Sequence, residues 1–134
     1  MITVYLQYVM YRMFIIIAQG YLDCVVVHNN RNLYLVDWKT SGKRKVSAKD
    51  TFDNPLQIAA YAGAFNHDPS YASFPRLKRG AIVVVYNDGA PANVIKLGEK
   101  DLALAWDKWL RRLEEFQKMT EFGGGGEGRD GHLT

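Results

Sequence analysis

Two aspartates and a lysine have the residue types and spacing expected for phosphate chemistry: Asp23, Asp37 and Lys39. Asp37 and Lys39 lie two residues apart in a β-rich run, so their side chains project from the same face of a strand. Two carboxylates supply oxygen ligands for a hard cation such as Mg²⁺ or Mn²⁺, which also binds substrate phosphate. A neighbouring ammonium can stabilise charge that develops on the phosphate. The alternative is a surface salt bridge at the end of a strand.

A predicted hairpin brings the two aspartates together. The β-rich runs 21–28 and 33–39 are separated by turn-forming residues at 29–32. If His28 pairs with Asn32, Asp23 lies opposite Asp37, with their Cβ atoms about 4.5 to 5.5 Å apart. Both faces of this hairpin are apolar, so we expect central strands covered on both sides, with Trp38 packed on the face opposite the carboxylates.

A helix follows the hairpin. Asn54 suits the N-cap, Pro55 suits the first helical position, and the helix should extend to about Asn66. Gln57 and Tyr61 are four residues apart on one face, so both can point at the same target. Alternatively, Gln57 forms a capping bond to its own helix start and Tyr61 is a half-buried aromatic residue.

The remainder of the chain predicts two strands and a second helix. Residues 79–87 form an apolar run, a turn follows at 87–89, and a short strand passes through residues 94–97. A helix over residues 99–122 has apolar positions at helical spacing, and we expect its tryptophans in the core rather than stacked on bases. These apolar positions are Leu102, Trp106, Trp109, Leu110, Leu113 and Phe116.

Length and composition indicate one folded domain. The chain has 134 residues, of which 48% are hydrophobic and 23% charged, which excludes a mainly disordered protein and a two-domain enzyme. The single cysteine, Cys24, cannot form an internal disulfide. The formal net charge of +3 permits a polyanionic partner without requiring one.

The two ends of the chain differ from this core. Residues 1–18 are mostly apolar. The stretch is too short for a membrane span and is interrupted by Gln7 and Arg12, so we expect a strand or strand pair. Targeting or anchoring remains the alternative for this atypical leader. Residues 123–134 are rich in glycine, and we expect a disordered tail.

Three short motifs occur in a fixed order: Gly20-x-x-Asp23, Asp37-Trp38-Lys39 and Gln57-x-x-x-Tyr61. This set resembles the RecB-like branch of the PD-(D/E)xK nuclease superfamily. Residues 19–122 closely resemble the mitochondrial genome maintenance exonucleases within it. The resemblance implies an α/β restriction-endonuclease-like core, with a mixed central β-sheet flanked by helices. It also implies a mitochondrial, metal-dependent exonuclease that acts on single-stranded DNA ends during mitochondrial DNA replication and turnover.

The resemblance also implies a role for each candidate residue. Asp23 and Asp37 would bind Mg²⁺ (or Mn²⁺), Lys39 would assist the attack, and Gln57 and Tyr61 would support the site or touch DNA. Single-stranded DNA is the expected partner, and we expect no small-molecule cofactor, no stable membrane association and a monomer. A basic loop could follow the phosphates or could simply be solvated. Its residues are Lys43, Arg44, Lys45 and Lys49.

The beginning of the chain departs from the family pattern. The family has a helical region before the sheet that supplies a further active-site residue, whereas no acidic residue or histidine precedes Asp23 here. We therefore expect a nuclease core without that region. Two alternatives stay open: a catalytically impaired DNA-binding fragment, and a RecB-like nuclease module of a recombination complex.

Overall fold

The computed structural model describes residues 2–7, 15–20, 22–29 and 31–123. Its first two strands, β1 (Ile2–Gln7) and β2 (Ile15–Gly20), pair antiparallel as a two-stranded sheet. The leader interpreted as a strand or strand pair thus contributes β1 and the first part of β2. The glycine-rich tail lies outside the described residues from residue 124 onward.

A second sheet has four strands, which are β3 (Cys24–His28), β4 (Asn32–Ser41), β5 (Gly80–Tyr86) and β6 (Asn93–Leu97). They lie in the order β3-β4-β5-β6. The central pair β4 and β5 is parallel, whereas the two outer pairs are antiparallel. The predicted mixed central sheet is therefore confirmed.

The predicted hairpin register is also confirmed. Cys24 pairs with Val36 and His28 pairs with Asn32, so Asp23 lies one residue before β3. The expectation that both faces of this hairpin are covered was wrong. In the four-stranded sheet β3 is an edge strand, and Val27 is 64% exposed. Trp38 is likewise exposed over 55% of its surface instead of packing.

Two helices cover one face of this sheet: α1 (Asn54–His67) and α2 (Glu99–Gly123). A 3-10 turn at Ala48–Thr51 precedes α1, and another at Pro69–Tyr71 follows it. Asn54 is the first residue of α1, and the N-cap is Asp53, not Asn54 as predicted. Because β4 and β5 are parallel, the chain must cross from one end of the sheet to the other, and α1 lies within that crossover.

The core lies between this sheet face and the helices, and it contains Leu35, Ile58, Ile82 and Val84, all fully buried. Two glycines permit the close packing. A Cβ atom at Gly63 would lie 2.2 Å from the Trp106 ring, and one at Gly80 would lie 2.4 Å from Ile58. The opposite face carries a smaller cluster of strand residues, Val36, Ala81 and Val83, that includes no helix residue.

Only the first part of α2 belongs to the core. Leu102 and Ala105 are buried and Trp106 packs against the core, but Phe116 is 62% exposed. The apolar positions at helical spacing are therefore buried in the first part of α2 and exposed at Phe116. The 25 residues of α2 extend about 37 Å and the 14 residues of α1 only about 21 Å, so α2 is longer than the helix it packs against.

Candidate active site

Strand β4 presents Asp37 and Lys39 toward α1, on the same side as the fully buried Leu35. Asp37 is only 5% exposed. Oδ2 of Asp37 lies 2.8 Å from Nζ of Lys39, whose side chain is about a third exposed. The two residues that sequence spacing placed on one face thus form an ion pair at the boundary between core and solvent.

Helix α1 completes a chain of polar contacts with this pair. Nζ of Lys39 donates to Oε1 of Gln57 at 2.9 Å, and Nε2 of Gln57 donates to the Tyr61 hydroxyl at 3.0 Å. An ammonium can only donate, so the amide oxygen must face Lys39 and the amide nitrogen is left to face Tyr61. The Gln57 side chain therefore contacts Lys39 and Tyr61, and not the helix N-cap.

Asp23 is linked to the site by a hydrogen bond to the backbone of β4. Its Oδ2 accepts a hydrogen bond from the Trp38 backbone N–H at 2.8 Å. That N–H belongs to the peptide unit that joins Asp37 to Trp38, so the Asp23 carboxylate lies beside the Asp37 backbone. The side chain of Asp23 is exposed, whereas that of Asp37 is buried.

Oδ2 of Asp37 is not fully satisfied. It is buried, and no donor in the described part of the chain meets it with hydrogen-bond geometry. Its 2.8 Å approach to Lys39 is an ion-pair contact that lacks this directionality. The Lys39 ammonium offsets the charge of this buried oxygen, and the oxygen still has room in its bonding for a donor or a cation. The oxygen is therefore a candidate ligand atom.

The carboxylates fit a divalent cation by number and type. Across residues 2–7, 15–20, 22–29 and 31–123, no group of three His, Cys, Asp or Glu residues is arranged to hold a metal. Mg²⁺, however, is usually held by one or two carboxylates, with waters and substrate phosphate completing the shell. Asp23 and Asp37 match that donor set.

The basic loop is only partly available to a ligand. Nη2 of Arg44 pairs with Oδ2 of Asp88 at 2.9 Å, and its guanidinium lies 4.3 Å from the centre of the Tyr86 ring. Tyr86 also holds the loop, because its hydroxyl accepts from the Lys45 backbone N–H at 3.0 Å. Lys43 is exposed. Lys49 is likewise exposed, on the 3-10 turn before α1.

Sequence reasoning did not identify the ion pair that fixes the start of α1. Arg112 on α2 contacts both carboxylate oxygens of Asp53, at 2.7 and 2.9 Å. The side-chain hydrogen bonds from Arg112 lower the pKa of Asp53, and the same bonds raise the pKa of Arg112. The two residues are 59 positions apart, and no local pattern in the sequence connects them.

The mixed four-stranded sheet with its helices is consistent with a restriction-endonuclease-like α/β fold. Residues 7–125 match the family model of the PD-(D/E)XK nuclease superfamily, and the chain belongs to this superfamily. Three relatives carry the name mitochondrial genome maintenance exonuclease 1. The one from Xenopus tropicalis is 52% identical over 103 residues, which are 76% of this chain and 28% of the relative.

The relatives from Mus musculus and Homo sapiens are each 48% identical over 102 residues, covering 76% of this chain and 29% of each relative. The resemblance inferred from the three motifs is therefore confirmed at the level of the superfamily and of similarity to these exonucleases. The chain spans less than a third of the length of the relatives it matches.

Proposed function

We propose that this protein is a metal-dependent exonuclease that hydrolyses DNA phosphodiester bonds at single-stranded ends and serves mitochondrial genome maintenance. The relatives' name supports the exonuclease activity and the mitochondrial setting. The observation that carries the proposal is the position of Lys39, whose ammonium contacts both Asp37 and Gln57. This position, between a candidate metal ligand and a neighbouring helix, suits Lys39 to contact a phosphate.

Asp23 and Asp37 are the residues that would hold the cation. When bound, Mg²⁺ or Mn²⁺ would lower the pKa of a coordinated water and neutralise phosphate charge. Oδ2 of Asp37 faces the site without a hydrogen-bond donor from the described residues. Asp23 is held by the Trp38 backbone through one oxygen, which leaves its other oxygen for a ligand.

Lys39 would act on the substrate directly. An ammonium has three N–H donors, and among the described residues only its contact to Gln57 has hydrogen-bond geometry, so donors remain for a phosphate oxygen or the attacking water. A donor already fixed where charge develops stabilises the transition state without reorganisation during the reaction. Gln57 and Tyr61 serve as positioning residues, because they restrict the rotamer of Lys39.

The decisive assay uses single-stranded DNA labelled at the 5′ or 3′ end, incubated with Mg²⁺, with Mn²⁺ or with chelator. We expect Asp37→Asn and Lys39→Ala to abolish metal-dependent cleavage while most DNA binding remains. The matched controls are Asp107→Asn and Lys108→Ala, two exposed positions on α2, which should keep wild-type cleavage. Cleavage that survives both site substitutions would contradict the assignment of the active site.

A second candidate is a DNA-binding protein with impaired catalysis. The observation that favours it is that the site has two carboxylates and no third ligand residue among the described residues. This candidate predicts binding of single-stranded DNA without cleavage under any metal condition. The wild-type lanes of the same assay distinguish the two, because cleavage in Mg²⁺ or Mn²⁺ that stops with chelator supports the exonuclease.

The mitochondrial setting has its own test. None of the described helices is both long and apolar enough to cross a bilayer. Expression of the full chain with a C-terminal fluorescent tag, followed by imaging with a matrix marker, should show overlap of the two signals. A diffuse signal outside mitochondria would contradict this part of the proposal.

A further inference from the structure

Phe52 has a backbone conformation that normally belongs to glycine. Its φ is 52° and its ψ is −118°, close to the first central residue of a type II′ turn. A side chain with a Cβ atom is strained there, and a bulky aromatic at positive φ is an outlier. Such strain persists where the surrounding structure enforces it, and it is concentrated at functional sites.

Burial of the ring does not offset this strain. Phe52 is 87% exposed, the largest value among the exposed large apolar side chains of the described residues. Glycine would fit the backbone better and would expose no apolar surface. The structure therefore gives no folding reason for an aromatic residue at this position.

Phe52 lies next to the helix that carries part of the candidate active site. Phe52 immediately precedes Asp53, the N-cap of α1, and the Asp53 carbonyl accepts from the Gln57 backbone N–H at 3.0 Å. The side chain of Gln57 then contacts Lys39. Less than two helical turns thus separate the backbone of Phe52 from that of Gln57, whose side chain belongs to the candidate active site.

A cation accompanies the ring. Nζ of Lys45 lies 5.3 Å from the ring centre, within the range of a cation–π contact. The backbone of Lys45 is anchored by hydrogen bonds to Tyr86 and Asn93 at the ends of β5 and β6. An exposed aromatic ring beside a lysine with an anchored backbone is a combination that suits single-stranded nucleic acid, through base stacking and phosphate contact respectively.

We propose that Phe52 stacks on a base of the DNA strand whose phosphate lies at Asp37 and Lys39, while Lys45 contacts the backbone of that strand. The proposal rests on the proposed function and adds a binding residue to it. Stacking accepts any base, because every base has a π-face, so this contact would hold a strand without selecting a sequence.

The test is Phe52→Gly, which removes the ring and relieves the strained backbone. We expect the affinity for a fluorescent oligo-dT strand, measured by anisotropy in chelator, to fall about tenfold. The thermal midpoint should stay the same or rise. Phe52→Trp should retain wild-type affinity. Phe116→Ala, which removes another exposed phenylalanine, should leave affinity unchanged.

A strand of the same length that lacks bases identifies the stacking contact. Wild type and Phe52→Gly should bind this abasic strand equally, because no base remains to stack. Equal affinity of the two proteins for oligo-dT would overturn the proposal. An equal loss of affinity for both strands in Phe52→Gly would overturn it too, as would a large fall in the thermal midpoint of that variant. If the wild type binds neither strand, the proposed function fails as well. If the wild type binds and cleaves DNA and Phe52→Gly does so equally well, only the role of Phe52 is refuted.

Discussion

Lys39 on β4 and Gln57 on α1 are joined by a hydrogen bond of 2.9 Å between Nζ and Oε1. The contact links β4, the strand that carries the candidate metal ligand Asp37, to the helix packed on it. The same ammonium also pairs with Asp37. The orientation of Lys39 therefore depends on both elements, and a change in either one is expected to alter the site.

Gln57→Leu should lower the rate of DNA cleavage about 10- to 100-fold, as is typical when a partner that orients an active-site group is lost. The reason is that Lys39 would keep Asp37 and lose its acceptor on α1. The measurement is steady-state cleavage of single-stranded DNA, and the effect should fall on kcat more than on KM. Gln57→Glu keeps an acceptor oxygen and should restore part of the rate.

Gln117→Leu on α2 is the matched control for this prediction, because Gln117 is also half-buried but lies in the second helix. It should cleave like the wild type. Equal losses in Gln57→Leu and Gln117→Leu, or a loss of folded protein in Gln57→Leu alone, would contradict a positioning role for Gln57.

Replacing Lys43 and Lys45 together by alanine should weaken the binding of single-stranded DNA and flatten its salt dependence. Each phosphate contact that is lost should reduce the slope of log K against log salt by about 0.7. Arg44→Ala should have less effect, because Asp88 already pairs with its guanidinium. Binding titrations at several salt concentrations measure the slopes, and an unchanged slope in the double variant would indicate a solvated loop.

Gly63→Ala should destabilise the protein by up to about 2 kcal/mol, because overpacking in a core costs about 1 to 3 kcal/mol and alanine inside a helix returns about 1 kcal/mol. The new methyl group would lie 2.2 Å from the Trp106 ring, so α1 and α2 would have to separate. Urea denaturation gives the change in unfolding free energy.

Gly42→Ala is the control for Gly63→Ala, because a Cβ atom at residue 42 meets nothing within 4 Å. Trp106→Leu should recover part of the stability lost in Gly63→Ala when the two substitutions are combined. Additive effects of these two substitutions would show that the ring is not what the new methyl group meets.

Arg112→Gln should lower the melting temperature at pH 7, with a difference that disappears in acid. Arg112 lowers the pKa of Asp53 in the folded protein, so the pair stabilises the fold above the ordinary carboxyl pKa of 3.8. That contribution is lost as the pH falls through the lowered folded-state pKa. Melting curves at pH 7, 4 and about 2 test the trend.

Arg111→Gln provides the control, because it removes the same charge from the neighbouring exposed position of α2. At pH 7 the melting temperature of Arg111→Gln should differ less from wild type than that of Arg112→Gln does. This difference should not follow the titration of Asp53. High salt should also reduce the Arg112→Gln difference, since both partners of the pair are solvent-exposed. A difference that persists unchanged at about pH 2 would exclude the pair as its source.

The hairpin could be predicted from sequence because its signals are local. The turn-forming residues between the two strands predict the pairing of His28 with Asn32, which the structure shows. The Asp37–Lys39 pair followed from strand periodicity, because residues two apart share a face. Gln57 and Tyr61 followed in the same way from helical periodicity, and the structure joins them by a hydrogen bond.

The remaining features depend on contacts between distant segments. A run of valines suits a central strand and an edge strand equally, so the exposure of Val27 could not be deduced from its type. The pairing of Asp53 with Arg112 depends on how α2 crosses the start of α1. Phenylalanine rarely adopts a positive φ, so residue propensity alone would not predict the backbone conformation of Phe52.

The candidate site is local in sequence, whereas the sheet that supports it is not. Every residue of the site lies between positions 23 and 61, in β3, β4, α1 and the segments next to them. The parallel neighbour of β4 is β5, which begins only at Gly80. A fragment that ended at residue 67 would contain all three motifs yet lack the strand that holds Asp37 and Lys39 in register. Possession of the motif residues is therefore not sufficient for a working site, and a short sequence match to them does not identify a nuclease.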